Sequence, residues 1–369
     1  MTMNKGSFRS ALILGGAGFI GSNLASWLLQ NTSAKVHIFD NLSRFGVRNN
    51  LDWLQGMAAT SGRLQITVGD VRDAAHVERV VRHATEIYHF AAQVAVTTSI
   101  SDPRHDFEVN LGGTVNVLEA ARKSDNQPFI FFTSTNKVYG DFGAEDLYLD
   151  GKRYRSKNAA GTSETQPLDF HSPYGCSKGA ADQYVRDYAR IYGLNTVVFR
   201  MSCIAGQQQF GNEDQGWVAH FLYSALRGAP ITIYGNGKQV RDVLCVDDLV
   251  RAIDLARQLP ASSEGRIYNI GGGAENALSL LELMDLVKSV TGHGCDVTYD
   301  AARPGDQLYY VTDFAKFKRD SGWQPEISPE GTLKKIYDFY KKNRDLFALT
   351  AARPSILPAA SASELAQPA

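Results

Sequence analysis

Tyr174 and Lys178 stand four residues apart in a stretch with helical periodicity, so both side chains leave the same helix face. An ammonium beside a phenol favours the phenolate and draws its pKa toward working pH. Such a phenol can take a proton from a substrate hydroxyl while hydride leaves the carbon that bears it. Thr135, with Ser134 beside it, follows the apolar run 129–133 and can hydrogen-bond that hydroxyl. Tyr-x-x-x-Lys alone occurs in many helices by chance. Its weight comes from what precedes it.

What precedes it is a glycine turn. Leu12-Ile13-Leu14 reads as a buried strand, and Gly15, Gly18 and Gly21 follow at G-x-x-G-x-x-G spacing, with Gly16 also allowing G-x-G-x-x-G. Glycines there permit a tight turn, clear the approach of a pyrophosphate and let the next helix pack closely. That helix, 23–30, offers free N–H groups and a positive dipole end to phosphates, with Phe19 and Ile20 in the turn before it also counted at the cofactor. A second apolar run, 36–39, ends on Asp40, 22 residues beyond Gly18 and followed by Asn41. An acid at that spacing accepts hydrogen bonds from an adenosine ribose and repels a 2′-phosphate, which favours NAD over NADP. Arg44 is the nearby residue that argues the other way. The run 64–68 leads to Asp70-Val71, placed to meet an adenine. Residues 87–90 lead to Ala91-Ala92-Gln93, small enough to let a cofactor lie close.

The elements that must position these residues alternate through the first half of the chain. Helical patterns at 23–30, 74–83, 102–123 and 174–192 separate apolar runs that end with 196–200. Strands apolar on both faces, alternating with helices, predict an α/β fold: a Rossmann-type doubly wound parallel sheet. Beyond Ile204 the pieces shorten. This predicts a cofactor domain over 1–204, a smaller and partly interleaved substrate lobe over 205–349, and a disordered tail over 350–369, rich in Ala, Ser and Pro. Asn236-Gly237, between runs 231–234 and 240–244, reads as a hairpin turn. The polar insertion 141–171 carries a basic cluster at 152–157, read as a solvated face ahead of a phosphate contact.

Composition narrows the classes further. The 369 residues are 44% hydrophobic and 21% charged, with a net charge of −1. No general field attracts nucleic acid or an anionic membrane. No apolar run approaches the roughly 18 residues of a membrane helix, and residues 1–10 lack the apolar core of a signal peptide. Cys176, Cys203, Cys245 and Cys295 form no C-x-x-C pair, which suits reduced thiols in a cytoplasm. The eight histidines show no metal-ligand spacing, so no metal is expected.

Together, the glycine turn, Asp70-Val71, Ser134-Thr135 and Tyr174-x-x-x-Lys178 resemble the extended short-chain dehydrogenase/reductase superfamily of nucleotide-sugar epimerases and dehydratases. Four segments sharpen the likeness: Gln93-Val94-Ala95-Val96-Thr97-Thr98-Ser99, Ser134-Thr135-Asn136-Lys137-Val138-Tyr139-Gly140, the stretch 168–184 around Tyr174, and Gly235-Asn236-Gly237-Lys238-Gln239-Val240-Arg241-Asp242. They are similar to the branch that inverts C2 of CDP-linked hexoses. The resemblance implies a retained NAD, a nucleotide-sugar substrate, and transient oxidation to a 2-keto sugar that is re-reduced on its other face. It places Thr97, Asn136, Lys137, Arg241, Arg303 and Asp306 at the substrate, with the two arginines on diphosphate or ribose. Dehydratases of the superfamily carry an Asp-Glu pair where this chain has Asn136 and Lys137, which counts against water elimination. His171 is expected to be structural and Cys176 to be packed. A UDP-hexose 4-epimerase would keep the same cofactor site, whereas a non-catalytic dinucleotide sensor should have lost Tyr174 or Lys178. A homodimer through paired helices follows by analogy.

Overall fold

The computed structural model describes residues 9–141, 146–157, 160–303 and 305–348. The tail predicted from residue 350 lies outside the described residues. Seven strands form one wholly parallel sheet: β1 (Ser10–Leu14), β2 (Lys35–Asp40), β3 (Leu64–Val68), β4 (Glu86–His89), β5 (Phe129–Thr135), β6 (Thr196–Met201) and β7 (Arg266–Ile270). Their spatial order is β7-β6-β5-β4-β1-β2-β3. The order reverses between β1 and β4, and the carboxyl ends at such a switch point open a crevice.

Alternate residues of each strand feed two cores, as the pleat requires. Ala11, Ile13, Phe129, Phe131, Val197 and Phe199 pack on one face against Leu24, Leu28, Leu249 and Ile253. Leu12, Leu14, Ile130, Phe132 and Val198 pack on the other against Val77, Val117, Leu118, Ala181 and Val185. The chain beyond residue 204 re-enters this arrangement, and Phe317 and Trp323 join the first core as well. Helix Val246–Gln258 covers the first face, and β7 hydrogen-bonds along β6. A third core, with Phe221, Leu222, Ile233, Leu283, Leu333 and Ile336, sits under helices Trp217–Arg227, Leu280–Thr291 and Pro329–Lys342. Ser279 and Glu282 close a capping box at the start of the second of these.

Two expectations change. The helix predicted over 102–123 is broken by a π-turn, Glu108–Gly112, between Pro103–Phe107 and Gly113–Arg122. Asn236-Gly237 makes no hairpin: Ile231–Tyr234 pairs with Val297–Asp300, while Val240–Cys245 pairs with Ala277–Ser279, Cys203–Ala205 and Tyr309–Tyr310. Gly235 and Gly237 both take positive φ, and Asn236 Oδ1 accepts the Lys238 N–H, so the turn carries the chain between sheets instead of folding it back. The basic cluster lies on an antiparallel hairpin, Leu147–Asp150 with Arg153–Ser156. It is the solvated face expected, with Lys152 and Arg155 about half exposed, and three of its cations pair with acids: Lys152 with Asp285, Arg153 with Glu282 and Arg155 with Asp150.

Candidate active site

Every residue singled out above for chemistry, cofactor or substrate lines one cleft of about 730 Å³ at the carboxyl ends of the strands. That volume falls within the range of small-molecule sites. Gly15, just past β1, has φ +76°, and a Cβ there would stand 2.6 Å from Ala91 N, just past β4. At Gly21 a Cβ would meet Gly15 O at 2.4 Å and Gly16 Cα at 2.7 Å. Those two glycines are demanded by packing. At Gly18 a Cβ would meet only Gly15 O, at 3.1 Å, and the residue faces the cleft. Gly18 is also the N-cap of helix Phe19–Asn31, which no side chain caps. Its first N–H groups are therefore left for a ligand. This cradle fits a dinucleotide diphosphate.

Asp40 does more than its position foretold. Its Oδ2 accepts from Ala17 N at 3.0 Å and its Oδ1 from Leu42 N at 2.8 Å, so the carboxylate braces the glycine turn. Burial raises its pKa. A carboxylate has roughly four acceptor sites, so Asp40 keeps acceptor capacity for a ribose hydroxyl. Asp70, by contrast, is committed to a two-pronged bond from Arg72 and one from Asn41, which bring it down to about 2. Val71 is buried against Gly113. Gln93 folds back on Ala95, and its N–H donates to Asn110 Oδ1. Asn110 sits in the π-turn and also reaches Asp106 and Ser177, tying the segment after β4 to the catalytic helix. A π-turn that re-aims one buried amide beside a cleft is a common functional device.

The catalytic helix runs Ser172–Tyr192, with Pro173 in its first turn. Thr135 lies on the wall beside the Tyr174 phenol, near enough to lower its pKa. Burial pushes the phenol up to about 12, Asp106 adds to the shift, and Thr135 and Arg44 oppose it. Lys178 is 3% exposed, with Nζ 4.1 Å from the centre of the Phe132 ring. Desolvation pushes it down to about 7 against the pull of Asp182 and Asp106. The expected lowering of the phenol by the lysine does not appear: burial dominates both groups, and the charges that act on Lys178 are those of Asp182 and Asp106. Ser134 Oγ is buried with no hydrogen-bond partner. An orphan hydroxyl in the cleft wall is a contact waiting for a ligand.

The other end of the cleft is positive but internally neutralised. Arg241 donates to Asp306 Oδ1 at 2.9 Å and to Gln307 O at 2.6 Å. Lys137 donates to Gly305 O at 2.9 Å, and burial with Arg241 nearby brings it to about 8. Asn136 Nδ2 lies 3.4 Å from Gln307 Oε1. Arg303 lies against Glu213 and Asp214, and Thr97 Oγ1 donates to Asp214. His171 pairs with Asp169, outside the cleft. Cys176 is exposed, not packed, because its face of the helix points to solvent.

Sequence reasoning missed several cleft-side residues. Arg44 was weighed only as a sign of NADP, yet its guanidinium lines the cleft within electrostatic reach of Asp40 and Tyr174 and forms no ion pair among the described residues. Asp106 and Asn110 carried no signal beyond lying on a predicted helix. Glu213, Asp214 and Tyr234 lie in segments that no motif marks. Among the described residues no cluster suits a metal, and no helix is long and apolar enough to cross a membrane.

The family model described as GDP-mannose 4,6 dehydratase matches residues 12–336. CDP-paratose 2-epimerase of Salmonella typhi is 44% identical over 336 residues, covering 89% of this chain and 98% of its own length. The UDP-glucose 4-epimerase of Thermus thermophilus, solved with NAD, superposes with TM-score 0.76 at 32% identity over 90% of this chain and 99% of that one. The dTDP-glucose 4,6-dehydratase DesIV of Streptomyces venezuelae, also solved with NAD, gives TM-score 0.77 at 30% identity over 91% and 98%.

Proposed function

The chain belongs to the GDP-mannose 4,6-dehydratase family of NAD-dependent epimerases and dehydratases, and from that premise we propose that it epimerises C2 of a CDP-linked hexose. The observation that carries the C2 assignment is the 44% identity with CDP-paratose 2-epimerase along nearly the whole of both chains. Asn136 and Lys137 support an epimerase over a dehydratase, since neither is the carboxylic acid that elimination of water calls for.

In this reading the adenosine ribose meets Asp40, the diphosphate meets the turn at Gly18, and Ala91 and Ala92 leave room for the rest. Bound NAD supplies a reversible hydride acceptor. Thr135 holds the reacting hydroxyl against Tyr174, and Tyr174 takes its proton. Lys178 steadies the phenolate that results. Arg241 and Arg303 grip the nucleotide, so the 2-keto sugar can turn over while its diphosphate stays fixed. Tyr174 then returns the proton to the inverted alcohol, with no net redox change. We extend the reading to a cytoplasmic enzyme, which its free thiols suit. We also extend it to a dimer through the helix face that exposes Phe107, Tyr184 and Ile191.

A UDP-hexose 4-epimerase is the second reading, favoured by the fold match at 32% identity. A panel of CDP-, UDP-, GDP- and dTDP-hexoses, with C2 and C4 stereochemistry read by NMR, separates the two. Inversion at C2 of a CDP-hexose, in deuterated water and without label at C2, is expected. Inversion at C4 sinks the first reading, and solvent deuterium at C2 sinks the hydride route.

A further inference from the structure

Arg303 is held by the protein's own acids. Its guanidinium lies 3.2 Å from Glu213 Oε1 and 3.4 Å from Asp214 Oδ1, and also contacts Glu213 O at 3.3 Å. The group rests 3.7 Å from the centre of the Tyr234 ring, whose hydroxyl donates to the same Glu213. Asp214 reaches across the cleft as well, accepting from Thr97 Oγ1 at 3.0 Å. Thr97 lies on helix Val96–Ser101, which follows β4, so one short loop joins both walls. The loop is preformed: Asn212 Oδ1 accepts from Asp214 N and Gln215 N. It is bounded by Gly211 and Gly216, the latter at φ +75°, and a Cβ on Gly211 would stand 2.5 Å from Gly216 O. Glu213 and Asp214 are about half exposed, so neither carboxylate has a core beneath it to uncover.

We propose that Glu213 and Asp214 form an internal anion that fills the fork of Arg303 and that an incoming nucleoside diphosphate must displace. The inference rests on the reading of Arg303 as a diphosphate contact. Two carboxylates within 3.5 Å of that guanidinium would stand beside any phosphate that shares it, and like charges at that spacing repel. A diphosphate brings enough charge to take over the arginine, whereas a nucleoside offers nothing in exchange. The loop therefore sets a threshold that selects diphosphate-bearing ligands, and breaking its Thr97 contact frees the wall beside the sugar when the ligand enters.

The test is calorimetric binding of CDP and of cytidine to the NAD-loaded protein, comparing wild type, E213Q/D214N, R303M and the triple variant. In E213Q/D214N, CDP is expected to bind about fivefold tighter, the scale of releasing exposed ion pairs, while cytidine is unchanged. R303M is expected to weaken CDP, and in its background the two loop substitutions should gain nothing. CDP affinity that stays level or falls in E213Q/D214N, with R303M still weakened, overturns the displaced loop alone. An R303M protein that binds CDP as wild type does overturns the diphosphate role of Arg303 beneath it. A gain that persists in the triple variant, or that cytidine shares, would mark a general charge effect and also refute the inference.

Discussion

Lys178→Met is the perturbation that isolates how the phenol is made basic. At about 12, Tyr174 would be ionised about once in 10⁵ molecules at pH 7, far too seldom for a working base. Side chains four apart on a helix are spaced by about 6 Å, and a unit charge at that distance with an effective dielectric of about 20 contributes about 3 kcal/mol, or roughly two pKa steps. Removing it should therefore slow turnover about 100-fold at pH 7. The sign follows from the phenol acting as base: rate climbs with pH until the phenolate dominates. In wild type the lysine's own depressed value, about 7, means the two groups titrate as a pair, the forming phenolate keeping the proton on the ammonium. The holoenzyme should reach a plateau by pH 8, while Lys178→Met keeps rising tenfold per pH unit through pH 9. Stability gives an independent reading. Lys178 holds its proton less tightly folded, at about 7, than unfolded, at 10.5, so its burial penalises the fold fully below pH 7 and progressively less as pH rises to 10.5. Cofactor-free Lys178→Met should thus melt higher than wild type at pH 7, with the gap narrowing by pH 9. A variant whose rate profile overlays that of wild type within threefold would refute the assignment of the ammonium.

Two further outcomes probe the cofactor end. Gly18→Ala should fold and melt close to wild type yet retain little NAD, whereas Gly21→Ala should lose stability first, because its Cβ would collide with the backbone of Gly15 and Gly16; measuring NAD released on denaturation alongside thermal melts separates them, and full NAD in Gly18→Ala would contradict the cradle. Arg44→Ala should leave the melting temperature within about 3 °C, since the side chain has no ion pair to lose among the described residues, while NAD retention falls about tenfold as a cation over the cleft disappears; undiminished NAD would show that Arg44 faces solvent in the loaded enzyme.

The parts of the fold that could be read from the chain are those whose cause is local. The inner sheet strands are short apolar runs because helices cover both faces, and Leu12 and Ile13 show the reason: neighbours in sequence, they enter different cores. The glycine turn was readable because backbone collisions at Gly15 and Gly21 exclude any side chain. The π-turn at Glu108–Gly112 was not readable, since its apolar face keeps helical spacing and its cause is the remote pull of Gln93 and Ser177 on Asn110. The absent hairpin failed for a similar reason. Asn-Gly chemistry specifies a turn, but the partner of Ile231–Tyr234 is a strand more than 60 residues later.

The same division runs through the site. Residue types told which groups could act, and all of them line one cleft, but their charge state depends on partners that no local pattern names. Arg241 meets Asp306, Arg303 meets Glu213 and Asp214, and Lys178 meets Asp106 and Asp182. Each of these cations has a carboxylate distant in sequence close by, which offsets part of the cost of holding charge beside the core, whereas Arg44 has no such ion pair among the described residues and burial lowers its pKa. A cleft built this way is electrically quiet until a ligand takes over some of the pairings. Activity in this chain should accordingly depend on exchanging ion pairs, which is why substitutions of acids, and not only of the bases they hold, are the ones that discriminate between accounts of the site.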